Sequence, residues 1–155
     1  MKKRKTLSEL EVKYYTIQII NGLMYLHKNH VIHRDLKLGN IFLDDQMQVK
    51  LGDFGLCAEL KSRGQRRFSV LGTPNYIAPE VLDAQRFNGH SFQVDIWGLG
   101  IIIYILLFGK PPFDSPEVKQ TYGKIRINDF SFPKDIKVNP GAKDLINLML
   151  VTNPE

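Results

Sequence analysis

The chain has 155 residues, 43% of them hydrophobic and 24% charged, with a formal net charge of +5. Those proportions suit one globular domain with a real core and exclude a disordered chain. A single cysteine, Cys57, excludes an intrachain disulfide and an all-cysteine zinc site, and points to a reducing, intracellular compartment.

The positive excess gathers in residues 2–5 and in Lys61, Arg63, Arg66 and Arg67. Neither group carries interleaved aromatics or a helix able to read a groove, so direct nucleic-acid binding is not expected. Solvated loop charge is one reading of these residues; an anion or phosphate partner is the other. Residues 1–5 have no apolar segment of the kind a secretory leader needs, so none is expected. Ser8-Glu9-Leu10-Glu11 then fits a capping box. Val12, Tyr15, Ile19, Leu23 and Leu26 recur at helical spacing, which predicts a helix to about Lys28. Asn29-His30 ends it, and Val31-Ile32 begins an extended segment.

Residues 41–43, 44–47 and 48–51 read as strand, turn and strand. Residues 56–80 carry charge, Gly and Pro without sustained periodicity, and so long an irregular stretch is usually functional. Helix returns over 92–108. Its apolar run, 96–108, contains two glycines and is too short to span a bilayer, so it reads as a buried helix and no membrane association is expected. Gly109-Lys110-Pro111-Pro112 breaks it, and shorter helices are predicted near 115–124 and 140–151. The fold class is α+β, mainly α-helical, with a small β-hairpin and one long loop.

Three motifs occur in order. His33-Arg34-Asp35-Leu36-Lys37-Leu38-Gly39-Asn40 is followed thirteen residues after Asn40 by Asp53-Phe54-Gly55, and Ala78-Pro79-Glu80 comes after the long loop. With a hairpin between the first two, the chain resembles the eukaryotic protein kinases over essentially its whole length. The resemblance implies a kinase-like C-lobe whose hairpin carries the catalytic and metal-binding loops. It also implies ATP and Mg²⁺ as cofactors. Phosphoryl transfer needs a positioned hydroxyl and a neutralised phosphate rather than covalent help. Asp35 would accept or orient the substrate hydroxyl's proton, and Lys37 would reach the transferring phosphate as a point charge. Asn40 and Asp53 would supply hard oxygen ligands to magnesium. Asp-Leu-Lys-x-x-Asn is similar to the serine/threonine class, which implies Ser and Thr hydroxyls of proteins as substrates.

Supporting positions match as well. Asp95, in Asp95-Ile96-Trp97-Gly98-Leu99-Gly100, resembles the aspartate that anchors a kinase catalytic loop; a plain helix N-cap is the other reading. His33 and Phe54 resemble two of the stacked side chains that link kinase lobes, Gly55 completes their motif, and Glu80 resembles the acid that pairs with a late arginine. No acid–base work is assigned to His33. The sequences around Asp53, Gly72-Thr73-Pro74-Asn75-Tyr76, Gly89-His90-Ser91-Phe92 and Phe132-Pro133 are similar to polo-like kinases. So is Phe42, where a ring would floor an adenine pocket, although core packing also accounts for a phenylalanine. Ser69 matches that family's activating phosphosite, with Arg34 as its partner and Thr73 in a positioning role. Arg66-Arg67-x-Ser69 is a pattern that basophilic kinases phosphorylate, which implies an upstream activating kinase.

No Gly-x-Gly-x-x-Gly loop or Val-Ala-x-Lys strand precedes His33. Residues 1–155 are therefore expected to correspond to the C-terminal lobe of a kinase domain, without the N-lobe, the end of the C-lobe or polo boxes. Such a lobe is part of a full kinase or, alternatively, a non-catalytic interaction or decoy module. The family resemblance further implies a monomer in the cytoplasm or nucleus, with the centrosome or spindle as the finer location.

Overall fold

The apolar run near the middle of the chain becomes the axis of the molecule. The computed structural model describes residues 4–62 and 64–154; the basic residues Lys2, Lys3 and Arg63 lie outside them. Helix α3, Gln93–Phe108, is buried along almost its entire length, with Leu99, Ile101 and Ile102 fully enclosed. A helix that is apolar all round belongs inside other elements rather than on a surface. Each enclosed Leu or Ile contributes about 1.5–3 kcal/mol relative to exposure. Two glycines let neighbours come close to it. A Cβ on Gly98 would meet the Leu36 carbonyl at 3.0 Å, and one on Gly100 would meet Leu150 Cδ2 and Met149 Cβ at 2.9 Å.

Helix α1, Glu9–Lys28, packs across α3, and the Leu7 amide just before it bonds Leu106 O at 2.9 Å. Its capping box is complete: Ser8 Oγ accepts from the Glu11 amide and Glu11 accepts from the Ser8 amide. Hydrogen bonds from Arg4 and Ser8 hold the Glu11 carboxyl down to about 2. The buried stripe is Val12, Thr16, Ile19 and Leu23, whereas Tyr15 is only half-buried. Thr16 lies four residues from Val12 and three from Ile19, so it centres the face better than the larger ring beside it.

Two small antiparallel pairs frame the segment between α1 and α3. Strands β1, Val31–Ile32, and β4, Ala58–Glu59, pair Val31 with Glu59 and Ile32 with Ala58. Strands β2, Ile41–Leu43, and β3, Val49–Leu51, form the expected hairpin, with Phe42 opposite Lys50. Asp44 turns it by accepting the amides of Gln46 and Gln48 at 3.0 and 2.8 Å. β4 falls inside the stretch read from sequence as irregular, because a two-residue strand has no periodicity to detect.

A four-residue helix α2, Pro79–Leu82, follows the long loop. Helix α4 runs over Val118–Arg126, starting three residues later than its sequence boundary. Pro116 disfavours a helical Ser115, and Glu117 caps the helix in an extended conformation. Helix α5, Pro140–Met149, is capped by Asn139, whose side chain accepts from the Gly141 amide at 2.9 Å. It ends two residues earlier than expected, where Leu150 turns into the core beside Gly100. Among the described residues no helix is long and apolar enough to cross a membrane.

Candidate active site

The loop from His33 to Asn40 leaves β1 and enters β2, and its backbone is held from below by α3. Asp95 is fully buried. Its Oδ2 accepts from the His33 amide at 2.9 Å and from His27 Nε2 at 2.8 Å, and its Oδ1 accepts from the Arg34 amide at 2.9 Å. The N-cap reading of Asp95 is corrected by this geometry. Phe92 occupies the N-cap position and Asp95 is the third residue of α3, with its carboxylate turned to the loop. The anchor also holds Arg34 in a left-handed conformation, φ 66°, which costs a non-glycine residue on the order of 1–3 kcal/mol.

Above the anchor, four side chains form one hydrogen-bonded cluster. Asp35, 7% exposed, accepts Lys37 Nζ on Oδ2 at 2.6 Å and the Thr73 hydroxyl on Oδ1 at 2.8 Å. Lys37 Nζ also donates to Thr73 Oγ1 at 2.9 Å. Asn40 Nδ2 donates to Asp35 O at 2.8 Å and to Asp35 Oδ2 at 3.2 Å. Burial pushes the Asp35 carboxyl up, but hydrogen bonds from Lys37, Thr73 and Asn40 and the charge of Lys37 outweigh it, leaving the group below its ordinary value. An ionised carboxylate beside an ammonium can take a proton while the ammonium holds an anion.

Asp53 stands beside this cluster without bonding to it. Its neighbour Gly52 donates to Asn40 O at 3.0 Å, and Gly52 O contacts His33 Nε2 at 3.1 Å, so the strand end is tied to the loop at 33–40 at two points. Asp53 is exposed, has φ 59°, and among the described residues accepts only a long 3.4 Å contact from the Gly55 amide. The rings of His33 and Phe54 lie 5.4 Å apart and tilted. Phe42 is 54% exposed and rests on Gly52, where a Cβ would meet its ring at 2.8 Å. That exposure corrects the reading of Phe42 as core packing.

The long loop returns to the same loop from the other side. Arg34 Nη1 donates to Ser69 Oγ at 2.9 Å, and its Nε donates to Leu56 O at 2.7 Å. Arg34, Lys61, Arg67, Cys57 and Gln65 line a cavity of about 670 Å³. Burial pushes the Cys57 thiol up to about 11, so it stays protonated and is not a nucleophile.

Glu80, on α2, is 2% exposed, and burial pushes its carboxyl up to about 7 against the opposing charge of Arg66. A folded-state value above the usual 4.5 makes ionisation unfavourable in the fold. Stability from this group is full below pH 4.5 and is lost as pH rises through about 7. Glu80→Gln cannot ionise. Its urea-denaturation stability should therefore gain on wild type between pH 4.5 and 7.5, by on the order of 3 kcal/mol. A stability difference that is the same at both pH values would show that Glu80 is not held in this state.

Sequence reasoning missed His27. The signal was present, because His27 lies four residues after Leu23 and so continues the buried stripe of α1. It also missed Gly52, whose role rests on backbone groups that no motif records.

This arrangement agrees with the comparisons to known proteins. A family model for the protein kinase domain matches residues 1–155. The chain is 54% identical over 153 residues to serine/threonine-protein kinase PLK1 of Xenopus laevis, covering 99% of this chain and 25% of that protein. It is 50% identical over 154 residues to cell cycle serine/threonine-protein kinase CDC5/MSD2 of Saccharomyces cerevisiae, covering 99% and 22%. Against serine/threonine-protein kinase polo of Drosophila melanogaster the identity is 49% over 154 residues, covering 99% and 26%. The chain spans about a quarter of the length of these relatives. The chain belongs to the protein kinase family and, within it, to the polo-like serine/threonine kinases.

Proposed function

We propose that this chain supplies the catalytic loop and metal-binding loop for ATP-dependent phosphorylation of Ser and Thr hydroxyls on protein substrates. The cluster of Asp35, Lys37, Thr73 and Asn40 is the observation that carries this reading. Asp35 orients the substrate hydroxyl and takes its proton as the hydroxyl oxygen bonds the γ-phosphorus of ATP. The bond from that phosphorus to the β–γ bridging oxygen breaks, and ADP leaves. Lys37 stays against the transferring phosphoryl oxygens, and Thr73 holds the aspartate and the lysine in register. In this reading the chain is the C-terminal lobe of the kinase domain, and Phe42 forms the floor under adenine.

The donors suit magnesium. The Asn40 amide spends Nδ2 on Asp35, which leaves its carbonyl oxygen for a cation, and the Asp53 carboxylate is exposed and nearly unengaged. Both are hard oxygen ligands on tied segments. Bound Mg²⁺ neutralises phosphate charge; Asn40 and Asp53 would hold it. Ser69 is the regulatory hydroxyl. A phosphate there, carrying about −1.5 to −2 charges, would bond Arg34 and draw on Lys61 and Arg67 around the adjoining cavity. An upstream Arg-directed kinase is the implied partner, and the family points to an intracellular, cytoplasmic or nuclear location, including the centrosome or spindle.

The test is transfer of ³²P from γ-labelled ATP to a Ser/Thr-containing protein by the full-length protein carrying these residues. Phosphoamino-acid analysis should return phosphoserine and phosphothreonine. Chelating magnesium, or Asp53→Ala, should abolish transfer. Label that survives both treatments would remove the case for Asn40 and Asp53 as metal ligands.

A further inference from the structure

Residues 66–68 of the long loop are fastened to a turn at 88–90. Arg67 and His90 exchange both of their backbone hydrogen bonds, at 2.9 Å from the Arg67 amide and 2.8 Å from the His90 amide. The Arg67 guanidinium donates from Nη2 to Glu59 O on β4. Gly89 makes the contact possible. Its φ is 84°, and a Cβ there would meet Arg67 O at 2.8 Å and Arg66 Cβ at 2.9 Å. Its amide is held by Ala84 O at 2.6 Å. His90 is 1% exposed, and burial, with the charges of Arg34 and Arg67, pushes its imidazole down to about 4. The ring is therefore neutral and adds no repulsion to the two nearby arginines.

Ser69 stands two residues beyond this bridge, with its hydroxyl already on Arg34. Arg66-Arg67-Phe68-Ser69 is also the stretch an Arg-directed kinase has to read. To reach the hydroxyl, that enzyme must bind the Arg67 guanidinium and the backbone around it. Those are the groups the bridge to His90 and the bond to Glu59 occupy. Recognition and the closed bridge exclude one another.

We propose that this bridge is a clamp that gates modification of Ser69: it opens before an upstream Arg-directed kinase can act, and recloses with the phosphate against Arg34. The proposal rests on the reading of Ser69 as the regulatory site. In the gated step Ser69 Oγ bonds the γ-phosphorus of ATP while the bond to the β–γ bridging oxygen breaks. The hydroxyl proton passes to the upstream enzyme's base, and ADP leaves. The new charge then adds to the existing Arg34 contact, so the closed arrangement is favoured more after modification than before it.

The experiment uses full-length protein silenced by Asp35→Asn, so that no phosphoryl transfer by the protein itself enters the readout. An added Arg-Arg-x-Ser-directed kinase is the probe, and mass spectrometry follows phosphate on Ser69. A free peptide of residues 61–76 is phosphorylated in parallel. The peptide should react at least about tenfold faster than the folded protein. Gly89→Ala, which places a side chain in a left-handed conformation and against Arg67 O, should close most of that gap, on the order of tenfold. Hydrogen exchange supplies the second measurement. The Arg67 and His90 amides should be protected together in the parent protein and lose protection together in Gly89→Ala. Equal rates for peptide and parent protein would overturn the clamp alone, and so would unprotected Arg67 and His90 amides in the parent. If Gly89→Ala does not fold, these two comparisons decide the matter. A peptide that is not phosphorylated would overturn the Arg-directed assignment of Ser69 and the gating with it.

Discussion

Asp35→Asn should lower kcat for phosphoryl transfer by about 10²–10⁴-fold, the range that a positioned general base supplies. The substitution is close to isosteric. The remaining amide oxygen can still accept Lys37 Nζ, and the Thr73 hydroxyl can rotate to accept from the new amide group, because a hydroxyl both donates and accepts. The hydrogen bond from Asn40 Nδ2 to the Asp35 carbonyl is untouched. The loop should therefore keep its shape while losing its base and its negative charge. KM for ATP should change little, because in the proposed reaction Asp35 meets the substrate hydroxyl rather than the nucleotide. The thermal midpoint should stay within a few degrees of wild type. A variant whose kcat stays within threefold of wild type would remove Asp35 from the chemistry and leave the cluster as a structural feature.

Asp95→Ala acts one level lower and should cost the fold itself. Removing the fully buried carboxylate strands the buried His33 amide, together with the part-buried Arg34 amide and His27 Nε2. Each unsatisfied buried donor costs about 1–3 kcal/mol, against about 5–15 kcal/mol for the whole stability of a domain. The melting midpoint should fall by roughly 10 °C or more, or the cooperative transition should disappear. Asp95→Asn should be intermediate, since one amide oxygen remains but its amino group faces donors. Activity should fall with both variants, because Arg34 leaves its left-handed conformation once its amide is free and Asp35 moves with it. A melting midpoint within 2 °C of wild type for Asp95→Ala would mean that the loop holds itself without α3.

These two expectations draw on different kinds of information. Helix α1 could be read from the chain because its signals are local. Ser8 and Glu11 satisfy one another's backbone donors, and the apolar positions recur within a turn or two. The hairpin at 41–51 is equally local, since Asp44 closes the turn through amides only two and four residues away. Asp35, Lys37 and Asn40 lie within six residues, so that segment could be set against the kinase motif from the sequence.

The role of Asp95 was not legible in that way, because an acid near the start of a helix is equally a cap or an anchor. The choice was decided by amides 61 and 62 residues away. His27 and Asp95 meet across 68 residues, and Thr73 reaches Asp35 across 38. Glu80 could be matched by resemblance to an acid that pairs with an arginine, but the burial that moves its carboxyl to about 7 exists only in the fold. Gly89 carries no packing signal in the sequence, and Arg67 is laid against it only in the fold. Sequence by itself determined helices α1, α3, α4 and α5 to within three residues, the hairpin and the identity of the chemical groups, since contacts within a turn or a hairpin are set by neighbouring residues. The resemblance already set Arg34 beside Ser69 and Asp95 beneath the loop; tertiary structure decided which donor atom meets which acceptor there and around Asp35. A buried polar group is satisfied by whatever the closed chain brings to it, and that partner has no fixed spacing.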